Sequence, residues 1–375
     1  MKKNNVILPP KTIGIIGGGQ LGRMMAIAAR YMGYKIAVLD PTADCPTAQV
    51  ADVQLTAAYD DMDAIKELTR ISDVITYEFE NVDLDAAAYI EKQDKLPQGA
   101  FALEITQNRE KEKTMIRGLG LPVPEFTIVK NGEEAKTVLK EFTLPAVMKT
   151  CSGGYDGKGQ IKLETEADKQ EAIRFAKEHG HCIIEEWITF DKEISVVFSR
   201  SVSGEITFFP ISENEHRDHI LYKTTVPAAV NETIQQKAYQ AARMLGEKMN
   251  IVGTFAIEMF VNGEEIYLNE MAPRPHNSGH YSIEACNVSQ FGQHILAICG
   301  LPLKEIELLQ PAVMVNVLGE DVEPLLEYLQ IEADGYAHLY GKAAIKAKRK
   351  MGHITFIGKD RNDVLRQVER YETAK

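Results

Sequence analysis

The sequence is poor in cysteine and in long apolar runs, and each shortage excludes a class of protein. The five cysteines are odd in number and form no C-x-x-C pair; they are Cys45, Cys151, Cys182, Cys286 and Cys299. We therefore expect neither a disulfide framework nor a structural zinc site, and we expect a reducing, cytoplasmic location. No apolar stretch approaches the ~20 residues that cross a bilayer, and the N-terminus lacks the apolar run of a signal peptide, so no membrane partner is expected.

Positive charge is also scarce. The 42 lysines and arginines are outnumbered by 54 aspartates and glutamates, which gives a net charge of −12. This balance argues against a nucleic-acid partner, although it leaves room for a local basic pocket around a small phosphorylated ligand. The length of 375 residues, 45% of them hydrophobic, predicts two or three domains of an ordinary globular enzyme.

Glycine and lysine are concentrated in one stretch, residues 145–163 (PAVMKTCSGGYDGKGQIKL). Two short apolar runs flank four glycines and two lysines, a pattern that predicts two strands joined by a glycine-rich loop. Backbone N–H groups and lysines are what a polyphosphate needs, and glycine allows close approach of the backbone. A Walker A loop is excluded because a strand, rather than a helix, follows Lys158 and Gly159. A flexible hairpin tip with no ligand is the alternative interpretation.

A second glycine-rich motif, GGGQLG at residues 17–22, follows the apolar run Thr12–Ile16 and precedes a predicted helix over 23–32. The next predicted strand, Lys35–Leu39, ends at Asp40, so the whole pattern fits a dinucleotide-binding turn. The same turn would serve a single phosphate equally well. Glu78 directly follows a further predicted strand, where open α/β sheets bind ligands; a solvated strand end is the alternative.

The predicted strand 182–185 (CIIE) runs into Glu186, Trp187 and Ile188. An acidic pair followed by apolar residues suits an adenine base, since backbone groups can bind its edge while apolar side chains cover its faces.

Two glutamates, Glu258 and Glu270, lie in and just after the strands of a predicted hairpin. A buried carboxylate needs a partner, and Mg²⁺ commonly takes one or two carboxylates plus phosphate oxygens. A salt bridge to Arg274 is the alternative. An Asn262-Gly263 turn would place Glu258 opposite Tyr267 and Glu270 on the other face, so a metal site requires a bulge or an end to regular pairing near Asn269.

Two further groups of residues have weaker signals. His276 and His280 are four positions apart, but the glutamate of a zinc-protease helix is missing and prolines precede them, which excludes that site. The segment 342–350 contains several lysines and Arg349, and it is either a solvated turn or a binding site for a phosphate monoester.

Taken in order, the motifs GGGQLGRM, KTCSGGYDGKGQ, NEMAPRPHNSGH and KAKRKMGH resemble those of the N5-carboxyaminoimidazole ribonucleotide synthetase family, part of the ATP-grasp superfamily. The resemblance covers nearly the whole chain. It implies a mixed α/β and α+β protein: an ATP-grasp fold with an N-terminal Rossmann-like (pre-ATP-grasp) domain and a small C-terminal domain. We expect the boundaries to give domains 1–105, 106–300 (with a mobile lobe at about 145–190) and 301–375.

The resemblance also implies a reaction. ATP would phosphorylate bicarbonate to carboxyphosphate. The exocyclic amine of 5-aminoimidazole ribonucleotide would then take up the carboxyl group as CO₂ released in the site, and ADP and phosphate would leave. The implied metal is Mg²⁺, or Mn²⁺ in its place, and the implied assembly is a homodimer. Such chemistry requires positioning, charge neutralisation and exclusion of water more than a protein nucleophile.

Site residues carried over from the resemblance fall into four groups. ATP phosphates would be bound by Arg109, Lys149, Gly154, Tyr155, Asp156, Gly157, Lys158, Gly159 and Gln160. The adenosine would contact Glu185, Glu186, Trp187, Ile188, Glu193 and His216. Metal would be bound by Glu258 and Glu270, with Asn269 adjacent. The ribonucleotide would contact Gln20, Leu21, Glu78, Asp156, Lys342, Arg349 and Lys350, and the groups closest to the chemistry would be Asp156, Arg274, Lys342 and Arg349.

Three other functions compete with this one. A different ATP-grasp ligase, such as a formate-dependent glycinamide ribonucleotide transformylase or a biotin carboxylase, would share the ATP residues. A NAD-dependent oxidoreductase would use the turn at 17–22 and Asp40, but it gives no role to Glu258 and Glu270. A nucleotide-binding module without catalysis would bind ATP and show no turnover.

Overall fold

The computed structural model describes residues 6–153, 159–332 and 334–375. The predicted site residues Gly154, Tyr155, Asp156, Gly157 and Lys158 lie outside these ranges. Within them, the chain forms three sheets.

The N-terminal sheet is parallel, with strand order β3-β2-β1-β4. Its strands are β1 Thr12–Ile16, β2 Lys35–Leu39, β3 Val53–Leu55 and β4 Val74–Tyr77. The helices of this region are α1 Gln20–Tyr31, α2 Met62–Ile71, α3 Leu84–Lys92 and α4 Ala100–Thr106. Apolar clusters cover both faces, so the sheet is doubly wound, as the Rossmann-like pattern predicts.

The second sheet is small and antiparallel, with strand order β5-β8-β6-β7. Its strands are β5 Phe126–Val129, β6 Ala146–Thr150, β7 Gln160–Leu163 and β8 Cys182–Glu186. The helices are α5 Arg109–Gly118, which precedes the sheet, and α6 Gly132–Val138 and α7 Lys169–His179, which pack on it. The predicted hairpin on either side of the glycine-rich loop is confirmed, with Lys149 paired opposite Gln160.

The third sheet has nine strands, in the order β14-β13-β9-β11-β12-β15-β17-β16, with β10 paired to β9. Its strands are β9 Lys192–Arg200, β10 Ile206–Phe208, β11 Ser212–Arg217, β12 Ile220–Val226, β13 Gly253–Asn262, β14 Glu265–Ala272, β15 Ala312–Leu318, β16 Tyr336–Leu339 and β17 Lys350–Ile357. The accompanying helices are α8 Glu232–Met249, α9 Ser282–Ala285, α10 Gln290–Ile298, α11 Val322–Ile331 and α12 Arg361–Ala374. Because β12 pairs with β15, the last strands of the chain extend the sheet that contains Glu258.

One segment differs from its sequence-based prediction. The polar run of residues 216–219 (HRDH) predicts a loop, but in the structure His216 and Arg217 end β11, and the hairpin to β12 turns at Asp218 and His219. Both turn residues have positive φ, 50° and 64°, which is the conformation of a two-residue hairpin turn. The prediction was wrong because Asp-His is a rare choice for such a turn.

Among the residues that the structure describes, none of the helices combines the length and the apolar character needed to cross a membrane.

Candidate active site

A cleft of about 1380 Å³ is lined by residues from all three sheets. Of the predicted site residues within the described ranges, all except Gly159 line it. They are Gln20, Leu21, Glu78, Arg109, Lys149, Gln160, Glu185, Glu186, Trp187, Ile188, Glu193, His216, Glu258, Asn269, Glu270, Arg274, Lys342, Arg349 and Lys350. Residues separated by more than 300 positions therefore meet in one cavity.

Glu258 and Glu270 face each other on β13 and β14. The predicted Asn262-Gly263 turn is wrong by one residue, because Asn262 pairs with Glu265 and the turn is Gly263-Glu264. The register then shifts between Glu258 and Met259, so that Asn269 has no partner across the strands. This is the irregularity that a metal site requires, and it places both carboxylates at one point of the sheet.

The electrostatics of this pair favour a cation. Burial, reinforced by the neighbouring Glu270, raises the pKa of Glu258 to about 8. Glu258 is partly buried and Glu270 is exposed, and two carboxylates so close repel each other when both are ionised, so positive charge between them would stabilise the pair. His276 Nε2 lies 3.7 Å from Glu258 Oε1, but burial lowers the pKa of His276 well below its ordinary value, which keeps that ring neutral.

The donor set fits a hard divalent ion that completes its shell with phosphate oxygens. Over the described parts of the chain, no group of three or more His, Cys, Asp or Glu side chains is arranged to bind a metal alone. Two carboxylates are what Mg²⁺ takes when nucleotide phosphates supply other ligands.

Glu185, which also lines the cleft, is buried between two lysines. Its Oε2 lies 2.6 Å from Lys149 Nζ and its Oε1 lies 3.5 Å from Lys113 Nζ. Burial alone would raise the pKa of Glu185, but the two ammonium groups outweigh it and lower the pKa to about 2. The side chain of Lys149 remains 17% exposed, so it can also reach a ligand in the cleft.

Arg109 is positioned by backbone carbonyl groups near the glycine-rich loop. Its Nη1 donates to the carbonyl oxygens of Thr150 and Gly153 at 2.9 and 3.0 Å, and its backbone N–H donates to Cys151 O at 2.8 Å. The guanidinium therefore lies beside the strand that carries Lys149.

Glu193 and His216 form a hydrogen-bonded pair in the cleft. Burial would lower the pKa of His216, but the bond to Glu193 and the charge of Glu258 outweigh it, and the pKa is raised. The pair connects β9 to β11, which are neighbours in the large sheet.

The glycine turn at residues 17–22 binds carboxylates of the chain itself. The Gly18 N–H donates to Asp40 Oδ2 at 2.7 Å, and the Gly19 and Gly22 N–H groups donate to the two oxygens of Glu78. A pyrophosphate would have to compete with both carboxylates for these amides. The expectation that this turn offers its amides to a phosphate is therefore not met in the structure.

Lys342, Arg349 and Lys350 form what we call the basic cluster. Lys342 Nζ donates to Gln20 Oε1 and to Lys350 O, both at 2.6 Å, and burial lowers its pKa to about 8. Arg349 Nη1 donates to Ala344 O at 3.0 Å. Lys342 thus joins the cluster to the N-terminal domain through Gln20, whereas Arg349 is exposed to solvent.

Arg274 lies 2.5 Å from Glu80 Oε1 in an ion pair, and its Nη1 donates to Pro275 O at 3.0 Å. The Arg274 side chain remains 17% exposed, while its Nε is buried and has no hydrogen-bond partner among the described residues.

The sequence analysis missed Glu112 and Lys113, which line the cleft from α5 and are almost completely buried. They belong to a run of charges, NREKEK, that looks solvated. The available signal was their position one turn before the buried Ile116, on the same helix face.

Three family models match successive parts of the chain. A "Ribonucleotide synthetase preATP-grasp domain" matches residues 10–107, an "ATP-grasp domain" matches 114–291, and a "Phosphoribosylaminoimidazole carboxylase C-terminal domain" matches 312–367. The predicted fold class is confirmed.

Individual proteins match over nearly their whole length. The N5-carboxyaminoimidazole ribonucleotide synthase of Bacillus subtilis (strain 168) is 50% identical over 364 residues, 97% of this chain and 96% of that protein. A crystal structure of an N5-carboxyaminoimidazole ribonucleotide synthetase in complex with ADP superimposes with a TM-score of 0.95 at 52% identity, covering 99% and 98% of the two chains. The Aspergillus clavatus enzyme in complex with ADP and 5-aminoimidazole ribonucleotide gives a TM-score of 0.90 at 30% identity, covering 97% and 98%.

Proposed function

The chain belongs to the N5-carboxyaminoimidazole ribonucleotide synthase family of ATP-grasp enzymes, and we propose that its cleft performs the reaction of that family with the residues assigned below. The protein is an ATP-dependent carbon–nitrogen ligase that carboxylates 5-aminoimidazole ribonucleotide in purine biosynthesis. The observation that carries the residue assignment is the single cleft that joins Lys149, the Glu258–Glu270 pair and the basic cluster.

ATP would lie between the small sheet and the large sheet. Lys149 and Arg109 would bind its phosphates, and Gly159 and Gln160 border the loop 154–158, whose predicted contacts lie outside the described residues. Adenine would contact Glu186, Trp187 and Ile188. Glu193 would accept hydrogen bonds from the ribose hydroxyls, since its contact with His216 keeps the carboxylate oriented into the cleft.

Glu258 and Glu270 would bind Mg²⁺, or Mn²⁺ in its place. Asn269, the residue between Leu268 and Glu270, forms the bulge of β14. When bound, the ion neutralises charge on the ATP phosphates. The other charged and hydrogen-bonding groups proposed for the site are side chains and backbone groups of the protein.

Bicarbonate would attack the γ-phosphorus of ATP, forming carboxyphosphate and releasing ADP. Carboxyphosphate would then release CO₂ in the site as its carbon–oxygen bond to the phosphate breaks. The amine nitrogen of the ribonucleotide would bond to that carbon, and the phosphate would take up the proton that the amine loses. Arg274 would orient the anionic carboxyl and phosphoryl groups. Asp156, predicted to lie near the amine, is outside the described residues.

The ribonucleotide would lie against Gln20, Leu21 and Glu78. The basic cluster would bind its 5′-phosphate, with Lys342 kept in place by Gln20. Since Glu78 already accepts hydrogen bonds from two backbone N–H groups, we propose that it shapes the floor of the ribonucleotide pocket.

We also retain two expectations as part of the proposal. The chain would divide into domains 1–105, 106–300 and 301–375, in keeping with the ranges of the three family models. It would act as a homodimer in the cytoplasm, which sedimentation of the purified protein and fractionation of cells would test.

The direct test measures ADP release with ATP, Mg²⁺ and bicarbonate, with and without 5-aminoimidazole ribonucleotide. We expect rapid ADP release only when the ribonucleotide is present, and labelled bicarbonate recovered in an acid-labile carbamate. ADP release that depends on a different amine or carboxylate would overturn the substrate assignment.

A further inference from the structure

Two consecutive side chains of α5, Glu112 and Lys113, contact β14 on both sides of its bulge. The Met271 N–H donates to Glu112 Oε1 at 2.7 Å, and Lys113 Nζ donates to Leu268 O at 3.1 Å. Leu268 is the last residue before the unpaired Asn269, and Met271 directly follows Glu270. The two contacts therefore enclose the segment that carries one half of the carboxylate pair.

These contacts replace a missing neighbour strand. β14 is the first strand of the large sheet, so no strand of the described residues lies beside its outer edge. At that edge the Leu268 N–H donates to Pro122 O at 2.9 Å, while Glu112 and Lys113 bind the adjacent backbone groups. A bulge at a sheet edge is free to shift unless its backbone groups are bonded, so the position of Glu270 depends on these side chains.

Lys113 also contacts a residue proposed to bind the nucleotide. Its ammonium lies 3.5 Å from Glu185 Oε1, and the second oxygen of that carboxylate is 2.6 Å from Lys149 Nζ. The buried ammonium of Lys113 thus contacts β14, the strand that carries Glu270. It also contacts Glu185, which in turn contacts Lys149, the lysine proposed to bind ATP. Glu185 is therefore shared between the two ammonium groups.

The burial of Glu112 and Lys113 is itself informative. They are only 4% and 1% exposed, and removing charged side chains from water is costly unless each finds partners. Apolar residues on this face would pack beside Ile116 without that cost.

We propose that Glu112 and Lys113 are positioning residues that fix the bulge carrying Glu270 and orient Lys149. The metal ion and the ATP phosphates can then bind in the correct position relative to each other. This inference rests on the proposed function for the identity of the ligands. It predicts that loss of either side chain weakens binding of the metal–nucleotide complex and spares binding of the ribonucleotide.

The experiment compares Lys113→Met and Glu112→Leu with Glu112→Gln in the full-length protein. Glutamine keeps an oxygen that accepts from the Met271 N–H, so it should rescue what leucine loses. Lys111→Met is the matched control, since Lys111 is on the same helix but exposed, and pairs with Glu104 at 2.7 Å. The readouts are Mn²⁺ binding with ADP by electron paramagnetic resonance, KM for ATP, KM for the ribonucleotide, and Tm.

We expect Lys113→Met and Glu112→Leu to weaken Mn²⁺ binding with ADP by about 10–100-fold, the usual effect of losing a group that supports a metal ligand. KM for ATP should rise in parallel, while KM for the ribonucleotide changes less than about twofold, which a general loss of packing would not produce. Unchanged Mn²⁺ binding in folded Lys113→Met and Glu112→Leu would overturn the proposal. So would an equal loss of metal, ATP and ribonucleotide binding that follows Tm.

The same measurements separate this inference from the proposed function. Mn²⁺ and ADP binding does not depend on which acceptor is carboxylated. A wild-type protein that binds Mn²⁺ with ADP but ignores 5-aminoimidazole ribonucleotide would contradict the function and still test the positioning role.

Discussion

Glu258 and Glu270 lie directly opposite each other because Asn269, beside them on β14, is left without a partner. In a regular continuation of the hairpin, Asn269 would take the place opposite Glu258, and Glu270 would point to the other face. The facing arrangement of the two carboxylates therefore depends on one irregular residue, Asn269.

Replacing either glutamate of the pair should abolish most of the activity. We expect Glu258→Gln and Glu270→Gln to lower kcat by about 10²–10³-fold, because charge on the transferring phosphoryl group is no longer neutralised. ADP release at saturating substrates measures the effect, and chelation of divalent ions should do the same to the wild type. Glu264→Gln, in the exposed turn of the same hairpin, is the control. Full activity of Glu270→Gln would contradict the metal assignment.

The affinity for the ribonucleotide should fall at alkaline pH. Burial lowers the pKa of Lys342 to about 8, so the free enzyme loses this ammonium as pH rises through 8, and kcat/KM for the ribonucleotide should drop up to tenfold per unit above it. The substrate phosphate is already fully ionised there and adds no slope. Lys342→Arg keeps its charge, so it should flatten the profile, and Lys342→Met should lower kcat/KM throughout. Lys348→Met, which removes an exposed lysine paired with Asp218, should keep the wild-type profile.

The Glu193–His216 pair should affect one substrate only. Glu193→Gln removes the carboxylate proposed to bind the ribose of ATP, so KM for ATP should rise about tenfold while KM for the ribonucleotide stays within twofold. Initial rates with each substrate varied in turn measure this. A rise in both KM values would mean that the pair supports the fold of the cleft rather than the nucleotide.

NADH should not bind at the glycine turn of residues 17–22. Two carboxylates, Asp40 and Glu78, already accept the N–H groups of Gly18, Gly19 and Gly22. A pyrophosphate would meet negative charge where a dinucleotide site offers free amides. Titration followed by NADH fluorescence should give no saturable signal up to millimolar concentration, and saturation in the micromolar range would revive the oxidoreductase hypothesis.

Much of the fold could be predicted from local sequence, because its signals are local. Val74–Tyr77 and the strands on either side of the glycine-rich loop are short apolar runs bounded by turn residues, and they form where expected. The three-residue strand Val53–Leu55 gave no such signal because it is too short for any period to show.

The candidate site was harder to predict where it depends on register or on distant partners. The hairpin turn at Gly263-Glu264 differs by one residue from the Asn-Gly prediction, and β13 also pairs with β9, a constraint that the local sequence does not contain. Lys113 looks like a solvated helix residue until α5 is placed against β14 and Glu185. The helix pattern places Lys113 on the face of the buried Ile116, but its contacts with Leu268 and Glu185 are set by tertiary structure and cannot be read from the helix alone.

The contact between Lys342 and Gln20 spans 322 positions of the chain. During synthesis from the N-terminus, the strands that carry Lys149 and Glu258 are made well before the segment that completes the ribonucleotide pocket. A growing chain can therefore fold its nucleotide-binding sheets while it still lacks a place for the acceptor. The ribonucleotide pocket is complete only once residues 342–350 have been made, so shorter chains lack the pocket for the acceptor of the carboxyl group.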